Sequence, residues 1–295
     1  MKAGVYPLTA DAYYADQLDG QTSPEITLNA TVCKLLINES ALHAWTHHPR
    51  LNPDYRETID TKFDLGTVAH EVFLLDNAEH VRVVDADDWR TKAAREARDQ
   101  AHADGNVPLL GHEWKRVNTM LDALRDHLAT IHADPPLFAA AGKPEQTLIW
   151  QDRGVWCRAR MDWLHDSLEC CDDLKTAGRS ANPHVWTRTT MWGIGADIQA
   201  AFTLRGLRAA LGVDSTFRFV IAETHEPYAI SAIELGAAAL TLANAKIDVA
   251  LERWKECLRT GIWPSYPPRV LTVEPPPWAE SQWWEQQQVA EDIAA

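Results

Sequence analysis

The sequence predicts a mixed α/β or α+β fold, and three observations support that class. At 295 residues with 46% hydrophobic composition, the chain is long enough to bury one large core. Apolar residues recur at helical spacing in several segments before residue 140 and again after residue 235. Between these regions the period shortens, and three successive segments rich in β-forming residues follow one another.

Four segments of the first 140 residues have helical patterns. ATVCKLLINESALHAWTHH predicts an early helix that stops at Pro49, and FDLGTVAHEVFLL predicts a second helix that begins near Asp64. The charged segment WRTKAAREARDQAHADG predicts a solvated helix that ends at Gly105, and EWKRVNTMLDALRDHLATIHA predicts an amphipathic helix that stops before Pro135. We therefore expect a helical N-terminal part.

The middle of the chain predicts a sheet. EQTLIWQ, VWCRARMDWLH and LECCDDLK read as consecutive strands, and Asp152-Arg153-Gly154 between the first two is a hairpin signal. A long helix or helix pair carrying Gln199 follows, and then two strands, FRFVIAE and YAISAIE. The Ala- and Leu-rich segment after them predicts a helix that ends at Gly261, and the tail rich in Pro and Trp is expected to be extended.

These elements predict one domain over residues 1–295. Its parts are a helical region at 1–140, the sheet with the Gln199 helix at 141–235, and the C-terminal helix with the tail at 236–295.

Composition limits the function classes. A net charge of −14 argues against a protein that coats nucleic acid through bulk electrostatics, because such proteins carry a basic face. The charge does not exclude an enzyme that concentrates carboxylates at one site. No apolar run approaches the roughly 18 residues of a membrane span, and the N-terminus lacks the apolar region of a signal peptide. We expect a cytoplasmic protein.

Several common catalytic motifs are absent. His70-Glu71 begins like the H-E-x-x-H zinc protease helix, but Leu74 occupies the position of the second histidine. No G-x-S-x-G elbow and no phosphate-binding P-loop are present. The five cysteines are scattered without a C-x2-C pair, so we expect reduced and mostly buried thiols.

Two acidic side chains on neighbouring predicted strands suggest a metal site. Asp162 ends one strand and Asp173 lies in the next, and a short turn between them would bring both carboxylates together. Such an oxygen-rich site suits Mg²⁺ or Mn²⁺, and the backbone carbonyl of Leu174 can add a ligand. Because side chains alternate along a strand, Lys175 would lie on the same face as Asp173. The sequence therefore predicts a metal site with an ammonium group beside it.

Five elements in order resemble the PD-(D/E)XK nuclease superfamily, and within it the phage RecE-like and lambda-exonuclease-like branch related to the RecB nuclease domain. They are the G-x-x-x-H helix at Gly66 to His70, the acidic Glu145, the R-x-R-x-D strand at Arg158, Arg160 and Asp162, the D-x-K-T at Asp173 to Thr176, and Gln199. The resemblance spans roughly residues 30–211. Two positions depart from it: Met161 stands where the proline of "PD" would be, and Thr203 where the Q-x-x-x-Y helix has its tyrosine.

The resemblance implies a restriction-endonuclease-like core, in which a mixed central sheet is flanked by helices, and metal-assisted hydrolysis of phosphodiesters. Asp162, Asp173 and the Leu174 carbonyl would bind the principal ion, with His70 and Glu145 as further ligands of one or two Mg²⁺ or Mn²⁺ ions. Lys175 would orient or activate the water and offset developing charge on the phosphate. Gln199 would hold the DNA end or the lysine, and the candidate phosphate contacts are Arg158, Arg160 and Arg179.

The implied activity is a double-strand DNA exonuclease that degrades one strand from its 5′ end and leaves a 3′ single strand for recombination. A closed ring of subunits would enclose the DNA end, and a RecT-like single-strand annealing protein is the candidate partner in a bacterial or phage-infected cytoplasm. Affinity for long duplexes depends on neutralising many phosphates, so an acidic protein needs such a topological hold.

Three alternatives remain open on the sequence. A site-specific endonuclease would share the same core motifs. An iron–sulfur relative would need three clustered cysteines near the C-terminus and one before the core, and because only Cys33 and Cys257 could serve we expect no cluster. A catalytically silent DNA-binding or assembly protein on the same fold would have no chemical need for Asp162, Asp173 and Lys175 together.

Overall fold

The computed structural model describes residues 2–18, 25–55 and 65–294. One compact unit runs through Pro264, and the chain from Ser265 onward forms a second, small unit. The described strands are β1 (Gly4–Tyr6), β2 (Val81–Val84), β3 (Val107–Leu110), β4 (Gly142–Asp152), β5 (Val155–His165), β6 (Cys170–Ala177), β7 (Thr216–Glu223) and β8 (Ile230–Glu234).

Helices surround these strands. They are α1 (Ala10–Tyr14), α2 (Ala30–Asn38), α3 (Ala41–Thr46), α4 (Leu65–Leu75), α5 (Lys92–Ala103), α6 (Gly111–Leu128), α7 (Pro183–Trp186), α8 (Trp192–Ile194), α9 (Ala196–Leu211), α10 (Ala237–Thr260) and, in the second unit, α11 (Pro277–Ala294). A π-helical segment, Thr187–Met191, lies between α7 and α8.

Within the described residues, six strands form the central sheet in the order β1-β4-β5-β6-β7-β8. Only the β6–β7 pair of this sheet is parallel, and the other pairs are antiparallel. A separate two-stranded parallel ribbon joins β2 and β3. The mixed sheet flanked by helices confirms the predicted fold class.

The predicted hairpin between β4 and β5 is present. Arg153 and Gly154 both have positive φ, 50° and 82°, as a two-residue turn of the hairpin type requires. The two strands pair from Gly142 opposite His165 to Asp152 opposite Val155, with a gap at Glu145 and Asp162. In contrast, β5 and β6 pair only at Trp163 with Asp172 and at Leu164 with Cys171. Beyond these residues the backbone ladder between β5 and β6 ends.

Two hydrophobic cores lie against the sheet. One joins α2, α9 and α10 to β4, β5 and β7, and the other joins α4 and α6 to β3, β6 and β7. Strand β7 serves both, because alternate side chains face opposite sides: Phe217 and Phe219 belong to the first core, and Val220 and Ala222 to the second. The helices that carry His70 and Gln199 are therefore held to the sheet by separate cores.

Helix α9 approaches the sheet unusually closely at Gly206. A Cβ atom there would lie 2.7 Å from Leu148 Cδ2 and from Trp150 Cε3. Glycine permits this contact because it has no side chain to separate the helix backbone from β4.

Two sequence predictions need correction. The single early helix is in fact two, because the Ser40 side chain accepts a hydrogen bond from the His43 N–H and starts α3 as a new helix. The tail is not wholly extended: residues after Pro277 form α11, with proline in the first helical turn. The predicted start of the second helix near Asp64 lies outside the described residues, and β1, α1 and the β2–β3 ribbon were not predicted.

The cysteines are confirmed as free and buried. Among the described residues, no helix is both long enough and apolar enough to cross a bilayer.

Candidate active site

The site lies where β5 and β6 diverge. Asp162 is the first β5 residue beyond the last backbone pair, which is Trp163 with Asp172. Its Oδ2 accepts a hydrogen bond from the Leu174 N–H at 2.8 Å. The register places Asp173 across from it on β6. A side chain thus takes the place of a ladder partner, and the convergence of the two carboxylates predicted from the sequence is confirmed.

His70 reaches the same carboxylate from α4. Its Nε2 lies 2.7 Å from Asp162 Oδ2, and the ring keeps 29% of its side-chain surface exposed. Val68, Ala69 and Val72 on the same helix are buried in the second core, which fixes the helix against the sheet. Burial lowers the pKa of His70, but the charge and hydrogen bond of Asp162 outweigh it, so the pKa is raised overall.

Glu145 completes a group of three. One ligand atom each of His70, Glu145 and Asp162 lie within 4.8 Å of one another. Glu145 has a φ of 54° within β4, a left-handed backbone conformation that is rare for a residue with a side chain. Its carboxylate pairs with the Arg160 guanidinium. Burial raises the pKa of Glu145, although Arg160 opposes the shift.

Asp173 sits between two polar partners. Its Oδ1 contacts the Lys175 ammonium, and its Oδ2 accepts a hydrogen bond from Gln199 Nε2 at 2.5 Å. Burial and the charge of Asp162 raise the pKa of Asp173 to about 6, even though Lys175 opposes the shift. The contact confirms that Lys175 and Asp173 share a face. The predicted role of Gln199 in holding the lysine is replaced here by a hydrogen bond to Asp173.

These residues suit a divalent cation. Two carboxylates and an imidazole converge on one point, and Asp173 lies beside them with its Lys175 partner. The raised pKa of Asp173 shows that the protein alone does not fully compensate its negative charge. Carboxylate oxygens are the ligands that Mg²⁺ and Mn²⁺ prefer. His70, Glu145, Asp162 and Asp173 could thus hold the ion, and the Leu174 carbonyl stays a predicted ligand.

An open cavity of about 310 Å³ gives access to the group. The first core, the N-terminal segment and α4 all contribute to its lining, which comprises Tyr13, Tyr14, Asn29, Ala30, Thr31, His70, Glu145, Ala159, Arg160, Asp162, Lys175, Gln199 and Thr203. Thr203, at the position of the family tyrosine, is itself buried in this wall.

The three predicted phosphate contacts occupy different environments. Arg160 lines the cavity, and Arg179 is exposed but does not line it. Arg158 is 1% exposed and donates to Asp16 Oδ1 at 2.9 Å and to the Thr27 carbonyl at 3.1 Å. The prediction that Arg158 contacts DNA is therefore corrected: its charge is neutralised inside the protein by the N-terminal segment.

The sequence did not reveal Tyr13, Tyr14 and Asn29 as part of the cavity. Their position depends on β1, which pairs with β4 and brings the N-terminal segment across the sheet. A three-residue strand leaves no periodic signal in the sequence.

A second acid and histidine cluster lies beside the first. His165, Cys170 and Asp172 could also present ligand atoms within 4.8 Å of one another. However, Arg218 donates to both Asp172 oxygens, at 2.5 and 3.0 Å, and Phe138 N–H donates to Oδ2 at 2.7 Å. A protein cation already occupies this cluster.

Comparison with known proteins gives a family and a fold. The model of a family described as "PDDEXK-like domain of unknown function (DUF3799)" matches residues 39–270. No curated protein matches the chain significantly.

A crystal structure of a "Putative exonuclease" from Eubacterium rectale aligns with 92% of this chain and 97% of its own, at 13% identity and a TM-score of 0.59. At that identity the likeness concerns the fold alone. A crystal structure of SSO0001 aligns with 69% of this chain and 96% of its own, at 15% identity and a TM-score of 0.27, and carries no argument. The family match and the shared fold confirm the predicted restriction-endonuclease-like architecture.

Proposed function

Since the chain belongs to this PDDEXK-like family of the PD-(D/E)XK nuclease superfamily, we propose that it is a metal-dependent exonuclease acting on linear duplex DNA. It would degrade one strand in the 5′-to-3′ direction and leave 3′ single strands for recombination. The observation that supports hydrolysis most strongly is the cluster of His70, Glu145 and Asp162 in an open cavity, with Asp173 and its Lys175 partner beside it.

The metal would be held by His70, Asp162, Asp173, the Leu174 carbonyl and Glu145 as one or two Mg²⁺ or Mn²⁺ ions. When bound, it supplies Lewis-acid polarisation of the phosphate and a nucleophilic water at neutral pH. The remaining work falls to the side chains around it.

Lys175 acts as a charged hydrogen-bond donor. Burial lowers the pKa of Lys175, but Asp173 and Asp162 outweigh it and raise the pKa above its ordinary value. The side chain is thus an ammonium at neutral pH when no metal is bound. It can orient the attacking water and stabilise charge that develops on the phosphate oxygens.

Gln199 and Arg160 position the carboxylates. The Gln199 amide holds Asp173 from α9, and the Arg160 guanidinium holds Glu145 from β5. With both acids fixed by other side chains, the ligand oxygens keep their places when the ion leaves. Arg160 also faces the cavity, where it could contact a phosphate next to the scissile one.

An end-directed activity follows from charge. At −14 the protein gains little from nonspecific attraction to long duplexes, so a closed homo-oligomer around the DNA would provide the hold. A RecT-like single-strand annealing protein would receive the 3′ strand. The closed homo-oligomer and the annealing protein are both part of the proposal.

Linear and covalently closed circular duplexes of one sequence, incubated with Mg²⁺, test the function. We expect linear DNA to be consumed, circles to survive, and a 5′-terminal label to be released before a 3′-terminal one. Asp173→Asn is the control for contaminating nucleases. Rapid linearisation of circles would instead identify an endonuclease. Binding of DNA without cleavage in Mg²⁺ and in Mn²⁺ would identify a silent scaffold.

A further inference from the structure

The N-terminal segment forms one wall of the active-site cavity. Strand β1 pairs with β4, and the Leu8 carbonyl accepts a hydrogen bond from Arg160 Nη1 at 2.8 Å. The Thr9 side chain then caps α1 by accepting the Ala12 N–H. The family model begins at residue 39, so this wall lies outside the matched region. Arg160, which lines the cavity, thus connects the N-terminal segment directly to the site.

Helix α1 ends in two tyrosines, and the first of them is fixed in place. Tyr13 is 8% exposed, and the Arg158 guanidinium lies 5.2 Å from the centre of its ring. Arg158 is in turn held by Asp16. These buried contacts hold the Tyr13 ring in place.

The second tyrosine faces the cavity. The Tyr14 ring meets the Tyr13 ring edge to face, with centroids 5.3 Å apart and planes at 76°. In this geometry the Tyr14 ring packs against the fixed Tyr13 ring while 53% of the Tyr14 surface stays exposed. Among the described residues that line the cavity, Tyr13 and Tyr14 are the aromatic ones, and Tyr13 is buried.

The chemistry of the cavity assigns a role to that ring. Its floor carries the acidic cluster and Lys175, which recognise a phosphate and its metal and offer a nucleobase little. A nucleotide whose phosphate lies at Lys175 must place its base toward the rim. A supported aromatic ring there provides a flat apolar surface, on which every base can stack without sequence preference.

We infer that Tyr14 is a stacking residue for the nucleobase of a nucleotide next to the scissile phosphate. The inference rests on the proposed function and specifies its substrate: a base stacked on Tyr14 has left its duplex neighbours, so the strand enters the site unpaired. Tyr14 is a binding and positioning residue and takes no part in proton transfer.

An abasic scan tests this inference directly. Binding of a short single-stranded oligonucleotide is measured with Ca²⁺ in place of Mg²⁺, for the intact strand and for strands with one abasic site at each position in turn. Tyr14→Ala should weaken binding of the intact strand about 5- to 100-fold, the range of one base–aromatic contact. At one abasic position the penalty should vanish, because no base remains to stack. Tyr14→Phe should bind like the wild type.

Tyr266→Ala is the matched control, because that tyrosine is 55% exposed and does not line the cavity. In Mg²⁺, Tyr14→Ala should raise KM more than it lowers kcat. Wild-type affinity in Tyr14→Ala, or a penalty unchanged at every abasic position, would overturn the inference while leaving the proposed function intact. A wild-type protein that shows the abasic pattern but does not cleave in Mg²⁺ would overturn the function and leave the stacking role standing.

Discussion

Asp172 and Asp173 are neighbours on β6, yet they belong to clusters with opposite properties. Asp172 lies with His165 and Arg218, all 5% exposed or less, and its two oxygens accept bonds from one guanidinium. Asp173 is also buried, but its partner Lys175 lines an open cavity together with Asp162, His70 and Glu145. The residue types are similar, and Arg160 pairs with one oxygen of Glu145 in the open cluster, but only in the first cluster does an arginine donate to both oxygens of its carboxylate.

The difference shows what makes a group of acids a metal site. A buried carboxylate must be compensated by a cation, and Arg218 supplies that cation permanently to Asp172. The open cluster has three carboxylates, Glu145, Asp162 and Asp173, against two permanent cations, Arg160 and Lys175, and it has an entrance from solvent, so a divalent ion can complete it. Spacing of acids and histidines alone does not distinguish the two.

The largest expected effect concerns activity. Asp173→Asn should reduce kcat by about 10²- to 10³-fold, on the scale of losing an electrostatic stabiliser of the transition state, because it removes a proposed metal ligand and the partner of Lys175. Asp172→Asn is the matched variant one residue away, and it should keep activity per folded molecule. Single-turnover cleavage of a labelled linear duplex measures both. Equal losses in two well-folded variants would break the comparison.

The next effect concerns stability. Arg218→Met leaves Asp172 as an unpaired buried charge and should lower the free energy of unfolding by about 3–5 kcal/mol. Adding Asp172→Asn removes that charge and should restore part of the loss. Urea denaturation of the single and double variants measures the coupling. A cost below about 1 kcal/mol for Arg218→Met would show that Arg218 does not serve as the cation of the closed cluster.

A smaller effect on the free energy of unfolding is expected for the open cluster when no metal is bound. The pKa of Asp173 is raised to about 6, so the folded protein binds this proton more tightly than the unfolded chain, and the carboxylate destabilises the fold at pH 7. Asp173→Asn should therefore raise the free energy of unfolding in chelator by about 2–3 kcal/mol at pH 7. The gain should shrink as the pH falls through 6 and be absent near pH 3, below the unfolded pKa of about 3.9.

Saturating Mg²⁺ should reverse the order of the two proteins, because the ion binds the folded wild type. A variant less stable than the wild type in chelator at pH 7 would contradict this account of the open cluster.

The smallest effect comes from a third, closed cluster around Asp16. His48 is fully buried: its Nε2–H donates to the Thr27 carbonyl at 3.0 Å, and its Nδ1 accepts the Arg50 N–H at 3.3 Å. This arrangement requires the neutral ring, and burial and the charge of Arg158 lower the pKa of His48 to about 4.

The contribution of His48 to stability is present above its unfolded pKa and is lost as the pH falls toward 4. Between pH 7 and pH 5 the loss should be about 2 kcal/mol, and His48→Gln should remove that part of the pH dependence. Denaturant unfolding of both proteins at the two pH values measures the difference. The same slope in wild type and variant would show that His48 is not buried neutral.

The sequence predicted the centre of the site because local rules determine it. Alternation along β6 placed Lys175 with Asp173, and the short turn after β5 brought Asp162 to them. Arg158 was assigned to DNA because it shares a strand with Asp162, and the strand pattern contains no information about Asp16, which covers it from more than 140 positions away. Tyr14 was missed for the same reason.

Gly206 has no side chain that could take part in the chemistry, but its close approach to β4 sets how near Gln199 lies to Asp173. Gln199 lies seven residues earlier on α9, about 10 Å along the axis at 1.5 Å per residue. A methyl group at 206 would meet Leu148 and Trp150 at 2.7 Å, so the helix would have to pivot outward. Such a tilt would stretch the 2.5 Å bond from Gln199 to Asp173. A change in packing at Gly206 alone would therefore alter the distance between the Gln199 amide and Asp173.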